Sequence, residues 1–147
     1  MEFALIAVPL FLILFGTIEF GNAFFQLNDV RHGAREGIRL IAVDSDKVPA
    51  YAGSDMNTNG KRLAQATCER MDSKKGVTVT IQLTDLDTPA NGFDIGDDVQ
   101  VTTTKPLDQL TMMFDPILRN VVLDEVVTTR LEQSPSPSIH NTTWTCK

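Results

Sequence analysis

The chain begins with a long run of apolar positions. Between residues 2 and 27 only Glu2 and Glu19 are charged, and residues 3–18 are all apolar, small, Pro or Thr. A helix over residues 2–27, at a rise of about 1.5 Å per residue, is long enough to cross the roughly 30 Å hydrocarbon core of a bilayer. We therefore predict a single membrane-crossing helix, with the rest of the chain on one side.

Beyond this run the pattern becomes amphipathic. Apolar residues recur at spacings of three and four, with charged and polar residues between them: Leu27, Val30, Ala34, Ile38 and Ile41. This spacing places an apolar stripe along a helix. The sequence thus predicts one helix to about residue 43. Residues 1–27 form its transmembrane or filament-core half, and residues 28–44 form an amphipathic half that packs on its own domain or on a neighbour's helix.

Residues 45–133 are predicted to form one small α+β domain. Its first part is a loop over 44–60, followed by a short helix over 61–71. Three residues share one face of that helix: Leu63, Thr67 and Met71. We expect this face to be buried.

Three strands are predicted next. Strict alternation over 77–84 and a similar pattern over 98–105 indicate a long-looped hairpin. Doubled valines in segment 120–132 blur the alternation of a third strand and suggest a bulge near Asp124 and Glu125. The intervening segment, residues 107–118, is predicted to pack three side chains on the core: Leu110, Met113 and Phe114.

The tail, residues 134–147, has a strand-breaking composition rich in Ser, Pro and Thr. Cys68 and Cys146 are the two cysteines of the chain. Outside the cytosol such a pair forms a disulfide, whereas in the cytosol it stays as two thiols. We expect an extracytoplasmic domain whose tail is held by this disulfide and by burial of Trp144.

The net charge of −6 disfavours nucleic acid or an anionic membrane surface as a partner. Arg31, Arg35 and Arg39 follow the apolar run, and no Lys or Arg precedes it. Taken literally, the positive-inside rule places the domain in the cytoplasm. We expect the opposite side, on the assumption that a basic leader precedes Met1. A cleaved secretory signal is disfavoured because the run lacks a basic start and an A-x-A-like site.

No pattern indicates an enzyme. The two histidines, His32 and His140, lie on a polar helix face and in the tail, and there is no G-x-x-x-x-G-K-[ST], H-E-x-x-H or C-x-x-C. Five acidic residues after the first strand are expected to be solvated surface: Asp85, Asp87, Asp94, Asp97 and Asp98. The sequence predicts no cofactor, with calcium as the one candidate.

The calcium candidate is a partial motif. Asp55, Asn57 and Asn59 match the first half of a calcium loop, D-x-N-x-N-G, but Ala66 stands where a bidentate Glu belongs. A turn leading into a helix accounts for the same residues, and we prefer that interpretation.

Two residues distinguish the apolar run from a simple anchor: Glu2 at its edge, where Lys or Arg is more usual, and Glu19 inside it. Pro9 can kink or loosen the helix. Glu19 is costly in hydrocarbon, so it should face a partner or water. Either the run ends at Ile18 and Glu19 lies among the headgroups, or Glu19 pairs with an Arg of a neighbouring helix.

Three blocks of residues, in order, resemble the TadE-like family of tight-adherence (Tad/Flp) pilus proteins. They are E-F-A-L over 2–5, F-G-T-I-E-F-G over 15–21 and A-R-E-G-I-R over 34–39. In that family a prepilin peptidase removes a leader, and the glutamate of the first block is the fifth mature residue. Here it is the second residue, so the resemblance implies either that a leader and a short piece precede Met1 or that processing differs.

The resemblance implies a pilin-like subunit. Its α+β fold would be a long N-terminal helix packed on a small antiparallel sheet of three or more strands. It would reside in the inner membrane before assembly and in an extracellular filament afterwards. Its partners would be copies of itself, other pilins, the prepilin peptidase and the inner-membrane assembly platform. Three alternatives remain: a membrane-anchored periplasmic assembly scaffold, the main filament subunit, and a calcium-dependent adhesin or enzyme.

The resemblance also implies a set of assembly contacts. In pilin-like proteins the early glutamate meets the N-terminal amine of an adjacent subunit, and Glu2 is the matching position. A carboxylate among apolar helices needs a cation, so such a pair sets the register between subunits. The alternative role for Glu2 is an acid favoured by the helix dipole. The full set is Glu2, Phe3, Pro9, Glu19, Arg35, Glu36 and Arg39.

Overall fold

A computed structural model describes residues 2–43, 59–86, 95–132 and 141–146. The predicted long helix is confirmed as α1, Glu2–Val43, which continues through Pro9. Its apolar stripe packs on the chain's own domain, where Val30, Ala34, Ile38 and Ile41 are buried. The sequence had left a neighbour's helix as the other possible partner for this stripe.

The domain is built on a four-stranded antiparallel sheet in the order β3-β2-β1-β4. The strands are β1 (Thr78–Thr84), β2 (Asp98–Pro106), β3 (Val122–Arg130) and β4 (Thr142–Thr145). Alternation in β1 and β2 directs five apolar side chains into the core, as predicted: Val79, Ile81, Leu83, Val99 and Val101. The predicted α+β class, a long helix on an antiparallel sheet, is therefore confirmed.

The third strand has no bulge at Asp124 and Glu125, contrary to our prediction. β2 and β3 pair one residue to one residue along β3, from Asp98 opposite Arg130 to Pro106 opposite Val122. The doubled valines fit a regular strand because alternate residues face opposite sides: Val126 is exposed while Val127 packs against the core.

The end of the tail is a strand, although its composition had suggested otherwise. β4 pairs with β1, with Trp144 opposite Val79. Thr and Trp are good strand formers, and the Ser and Pro residues that gave the tail its composition precede Asn141. Those residues, 133–140, lie outside the described part of the chain.

A second helix, α2 (Asn59–Glu69), lies across α1 and carries the predicted buried face. The predicted disulfide is present and joins Cys68 of α2 to Cys146, the residue after β4, with Cα atoms 5.7 Å apart. The helices approach closely at Gly37, and Met71, just after α2, lies against Gly33. A Cβ on Gly37 would lie 2.4 Å from Oγ1 of Thr67, so this crossing requires glycine.

Residues 107–118 lie beside α1 and include a 3₁₀ turn (Met112–Phe114) and the short helix α3 (Asp115–Leu118). The prediction that Leu110 and Met113 pack on the core is wrong, because these side chains are 65% and 50% exposed. The backbone N–H of Leu110 faces Glu19 of α1 instead. Phe114 is half-buried and lies against Gly16.

Candidate assembly helix

The first half of α1 presents an apolar surface that its own domain leaves uncovered. Large apolar side chains are exposed along residues 3–18, among them Phe3, Leu5, Val8 and Ile13. Among the described residues one helix, over Leu5–Ala42, is long and apolar enough to cross a membrane. Contiguous exposed apolar surface of this extent marks a membrane or protein contact.

Glu19 lies where the exposed segment meets the domain, and it is only 2% exposed. Its carboxylate accepts hydrogen bonds from the backbone N–H groups of Leu110, at 3.1 Å, and Thr111, at 3.0 Å. The hydroxyl of Thr111 donates a third bond, at 2.9 Å. The chain itself binds this carboxylate, while the two expected environments, headgroups or a neighbouring arginine, stay predictions.

The next two turns of α1 continue this contact. Asn22 and Gln26 each donate a side-chain N–H to the backbone carbonyl of Asp108, at 2.7 Å. The amide oxygen of Gln26 accepts the Asp108 N–H in return, at 3.0 Å. Two helix side chains thus satisfy the backbone of a residue that lies just beyond β2.

Asp29 repeats the arrangement one turn later on a second loop. Its two carboxylate oxygens accept the N–H groups of Asp72 and Ser73, at 2.9 and 2.8 Å. Spacings of three, four and three place Glu19, Asn22, Gln26 and Asp29 on one helix face. We call these four residues the polar stripe; it attaches α1 to the loops before β1 and after β2.

A buried lysine links the two loops that the polar stripe holds. The Lys105 side chain is 1% exposed, and its ammonium donates to the Ser73 hydroxyl and lies 3.1 Å from the Asp108 carboxylate. Nearby, Thr103 donates its hydroxyl to the Val30 carbonyl at 3.2 Å. Lys105 thus provides a charged contact between the segments that bind Asp29 and Gln26.

Sequence analysis missed this network. Asp29 is one of the polar residues between the apolar positions of the amphipathic half, a pattern that places it on the polar face, but it is buried. The available indication was the 3-4-3 spacing of polar residues within an otherwise apolar region. A helix pattern cannot identify loops that follow 43 to 92 residues later.

The charged residues between 31 and 39 face their own domain in part. Glu125 of β3 lies 3.3 Å from Arg31 and 3.9 Å from Arg35. Glu36 lies 3.6 Å from Arg70, while Arg39 is exposed. Exposed ion pairs of this kind contribute about 0–1 kcal/mol, so they orient the surface more than they stabilise it.

The remaining predicted contact residues lie at the other end of α1. Glu2 begins the helix, and Phe3 and Pro9 are exposed on its protruding half. The predicted set is therefore divided between the apolar end, the Glu19 junction and the domain surface. Its role in subunit contact stays a prediction.

The calcium candidate is not brought together in the described residues. Asp55 and Asn57 lie outside them, and Asn59 begins α2. Within the described ranges no group of three or more His, Cys, Asp or Glu could hold a metal ion.

The acidic residues near β2 include one that was assigned wrongly. Asp97, expected on the solvated surface, is buried and accepts the Leu86 N–H at 3.0 Å. This bond joins the residue before β2 to the segment that follows β1. Asp98 lies 3.8 Å from Arg130, and Asp87 and Asp94 lie outside the described residues.

Comparison with known families bears on this helix. The model of the family described as TadE-like protein matches residues 1–39. This N-terminal part of the chain is similar to TadE-like proteins. The resemblance drawn from the three blocks is therefore confirmed over that range, which is a minority of the chain.

The residues that match the TadE-like family correspond to definite parts of the structure. The match covers the exposed apolar half of α1, the whole polar stripe, and Gly37 at the crossing with α2. The TadE-like segment therefore includes both the uncovered surface and the side chains that hold the domain. No curated protein and no solved structure gives a significant match.

Proposed function

We propose that this chain is a structural, pilin-like subunit of a Tad-type pilus or a related extracellular filament. It assembles through the apolar half of α1, and the proposal includes no catalytic step. The observation that carries it is the exposed apolar surface along residues 3–18, within the segment that matches TadE-like proteins.

The physical argument is that this surface suits two environments equally. Apolar area gains about 25 cal/mol per Å² when it leaves water. Lipid tails and the side chains of packed helices are both apolar, so transfer between them involves little hydrophobic free energy. The same segment can hold a subunit in the inner membrane and later lie among its neighbours' helices.

The domain would lie outside the cytoplasm in both states. The Cys68–Cys146 disulfide supports this location, because disulfides persist in oxidising compartments such as the periplasm. Within the filament, Glu2 would pair with the N-terminal amine of an adjacent subunit. The prepilin peptidase and the inner-membrane assembly platform would act before that contact forms.

The test is quantitative mass spectrometry of sheared surface material and of washed membranes, including the N-terminal peptide. A filament subunit will be abundant in the sheared fraction with a processed N-terminus. In Glu2→Ala the sheared fraction should fall at least fivefold while membrane insertion persists. Asp124→Ala, an exposed acid on β3, is the control and should behave like the wild type.

The alternative is a membrane-anchored periplasmic assembly scaffold that never enters the filament. Wild-type protein confined to membranes would favour it. An unprocessed N-terminus there would reject the pilin proposal as a whole. Normal incorporation of Glu2→Ala would reject the charge pair alone.

A further inference from the structure

A second apolar surface lies where α1 meets the domain. Phe20 and Phe24 of α1 are exposed, and so are three side chains of the neighbouring segment: Leu110, Met113 and Ile117. We call these five residues the junction patch. It continues the exposed apolar surface of residues 3–18 onto a different part of the chain.

The level of this patch along α1 is set by two contacts. Glu19 binds the backbone of Leu110 and Thr111. Phe114 lies against Gly16, where an added Cβ would be 3.5 Å from the ring atom Cζ. A groove of about 190 Å³ between the two elements is lined by Gly16, Glu19, Phe20, Ala23, Phe114 and Leu118. The segment 110–118 is therefore held beside residues 16–23 of α1.

The length of α1 places the bilayer boundary at the same level. Residues 3–18 number 16 and span only about 24 Å as a helix, whereas the hydrocarbon core is about 30 Å thick. Including residues 19–24 extends the span to about 33 Å. No charged residue occurs between Glu19 and Asp29, and Asn22 and Gln26 are already bound to Asp108. The apolar boundary thus falls among residues 19–25.

From this coincidence we propose that segment 110–117 is an interfacial membrane contact. Leu110, Met113 and Ile117 insert among zwitterionic phospholipids at the level where the headgroups meet the acyl chains. This inference rests on the proposed membrane-crossing role of α1. The backbone N–H groups of residues 110 and 111 then provide Glu19 with polar partners at that depth.

The charges around the patch favour a hydrophobic contact over an electrostatic one. Asp115 and Arg119 lie beside it, are exposed, and carry opposite signs. An interfacial segment that depended on anionic lipids would carry an excess of Lys or Arg. The contact should therefore form on phosphatidylcholine and persist in salt.

The experiment uses the full chain, one copy per phosphatidylcholine nanodisc, with bimane attached to single introduced cysteines. Met113→Cys and Ile117→Cys report on the patch, and Phe11→Cys reports on the span. Val126→Cys is the matched control, because Val126 and Met113 are both 50% exposed while Val126 lies on β3, away from the junction. Quenching by lipids spin-labelled near the headgroup and at the chain end measures contact and depth.

We expect labels at 113 and 117 to be quenched at least threefold more than the label at 126, and most strongly by the headgroup-proximal probe. The label at 11 should respond to the chain-end probe. If the labels at 113 and 117 are quenched no more than the label at 126, while the label at 11 is quenched, the interfacial contact is overturned and the membrane span stands. An unquenched label at 11 would overturn the span as well.

Two further measurements keep the result interpretable. Resistance of the buried Cys68–Cys146 disulfide to reductant confirms that each labelled variant is folded. Discs that hold two copies test whether a second chain covers the patch instead. If the label at 113 is strongly quenched in the single-copy discs, the result agrees with the proposal, even if that quenching disappears when a second chain is present. Protection of 113 in both overturns it.

Discussion

The carboxylate of Glu19 accepts a hydrogen bond from the backbone N–H of Leu110, although 91 residues separate them in sequence. This contact attaches the domain to α1 at the point where the helix extends beyond the domain. Glu19 lies in a block that the family resemblance associates with assembly. In the folded chain the same side chain also organises the segment after β2.

Removing the Glu19 carboxylate should release that segment. Glu19→Ala leaves the N–H groups of Leu110 and Thr111 without an acceptor, at a cost of about 3 kcal/mol for bonds to a charged group. Hydrogen exchange at these two amides should accelerate about a hundredfold. Glu19→Gln keeps one acceptor oxygen and should have a smaller effect. Glu36→Gln, which alters the partly exposed ion pair with Arg70, is the control. Unchanged exchange in Glu19→Ala would contradict the role of Glu19.

Gly37→Ala should destabilise the contact between α1 and α2. The new Cβ would lie 2.4 Å from Oγ1 and 2.6 Å from Cγ2 of Thr67, so the helices must separate, at about 1–3 kcal/mol. Thermal unfolding of the detergent-solubilised chain, followed by circular dichroism, measures the loss.

Gly21→Ala provides the matched control for that substitution. Nothing lies within 4 Å of a Cβ at Gly21, and alanine favours a helix over glycine by up to about 1 kcal/mol. The melting temperature of the Gly21→Ala protein should equal or exceed that of the wild type. Thr67→Ala added to Gly37→Ala should recover part of the stability. A Gly37→Ala protein as stable as Gly21→Ala would refute the close packing.

The disulfide should stabilise the edge of the sheet. Cys68 and Cys146 are 78 residues apart, and closing such a loop contributes about 4 kcal/mol in the chain-entropy account. In the double variant Cys68→Ala/Cys146→Ala, β4 should exchange its amides first, because it contributes the short edge strand. Exchange mass spectrometry should then show faster loss at 142–146 than in β2. Equal acceleration of all strands would argue against local release.

The Lys105–Asp108 pair should respond asymmetrically to substitution. Lys105 is buried, whereas the Asp108 side chain is 63% exposed. Asp108→Asn leaves the buried ammonium of Lys105 without its carboxylate and should lower the free energy of unfolding by about 1–2 kcal/mol. This is less than for a fully buried pair, because solvent screens the exposed carboxylate. Lys105→Met removes the charge, keeps the volume and leaves a carboxylate that water can solvate. Urea unfolding should show the smaller loss for Lys105→Met; the reverse order would contradict this account.

Periodicity predicted the main elements because a helix or strand that buries one face repeats its apolar residues at the period of that element. The 3- and 4-residue spacing from Val30 to Ile41 gave the buried stripe of α1, and alternation from Val79 to Leu83 gave β1. The contacts of Glu19 and Asp29 were not predictable in this way, because they join α1 to loops distant in sequence. Leu110 was misassigned because hydrophobicity alone does not distinguish a core side chain from one that faces lipid or a partner.

The way α1 is attached has a mechanical consequence. Its contacts with the domain extend from Gly16 to Ile41, about 38 Å along the helix axis. They come from three separate parts of the chain: the loops around β1 and β2, the sheet and α2. A force that pulls α1 along its axis would therefore load these contacts in parallel, so that they must rupture together and not in succession. Such an attachment suits a subunit whose helix and domain are pulled in opposite directions.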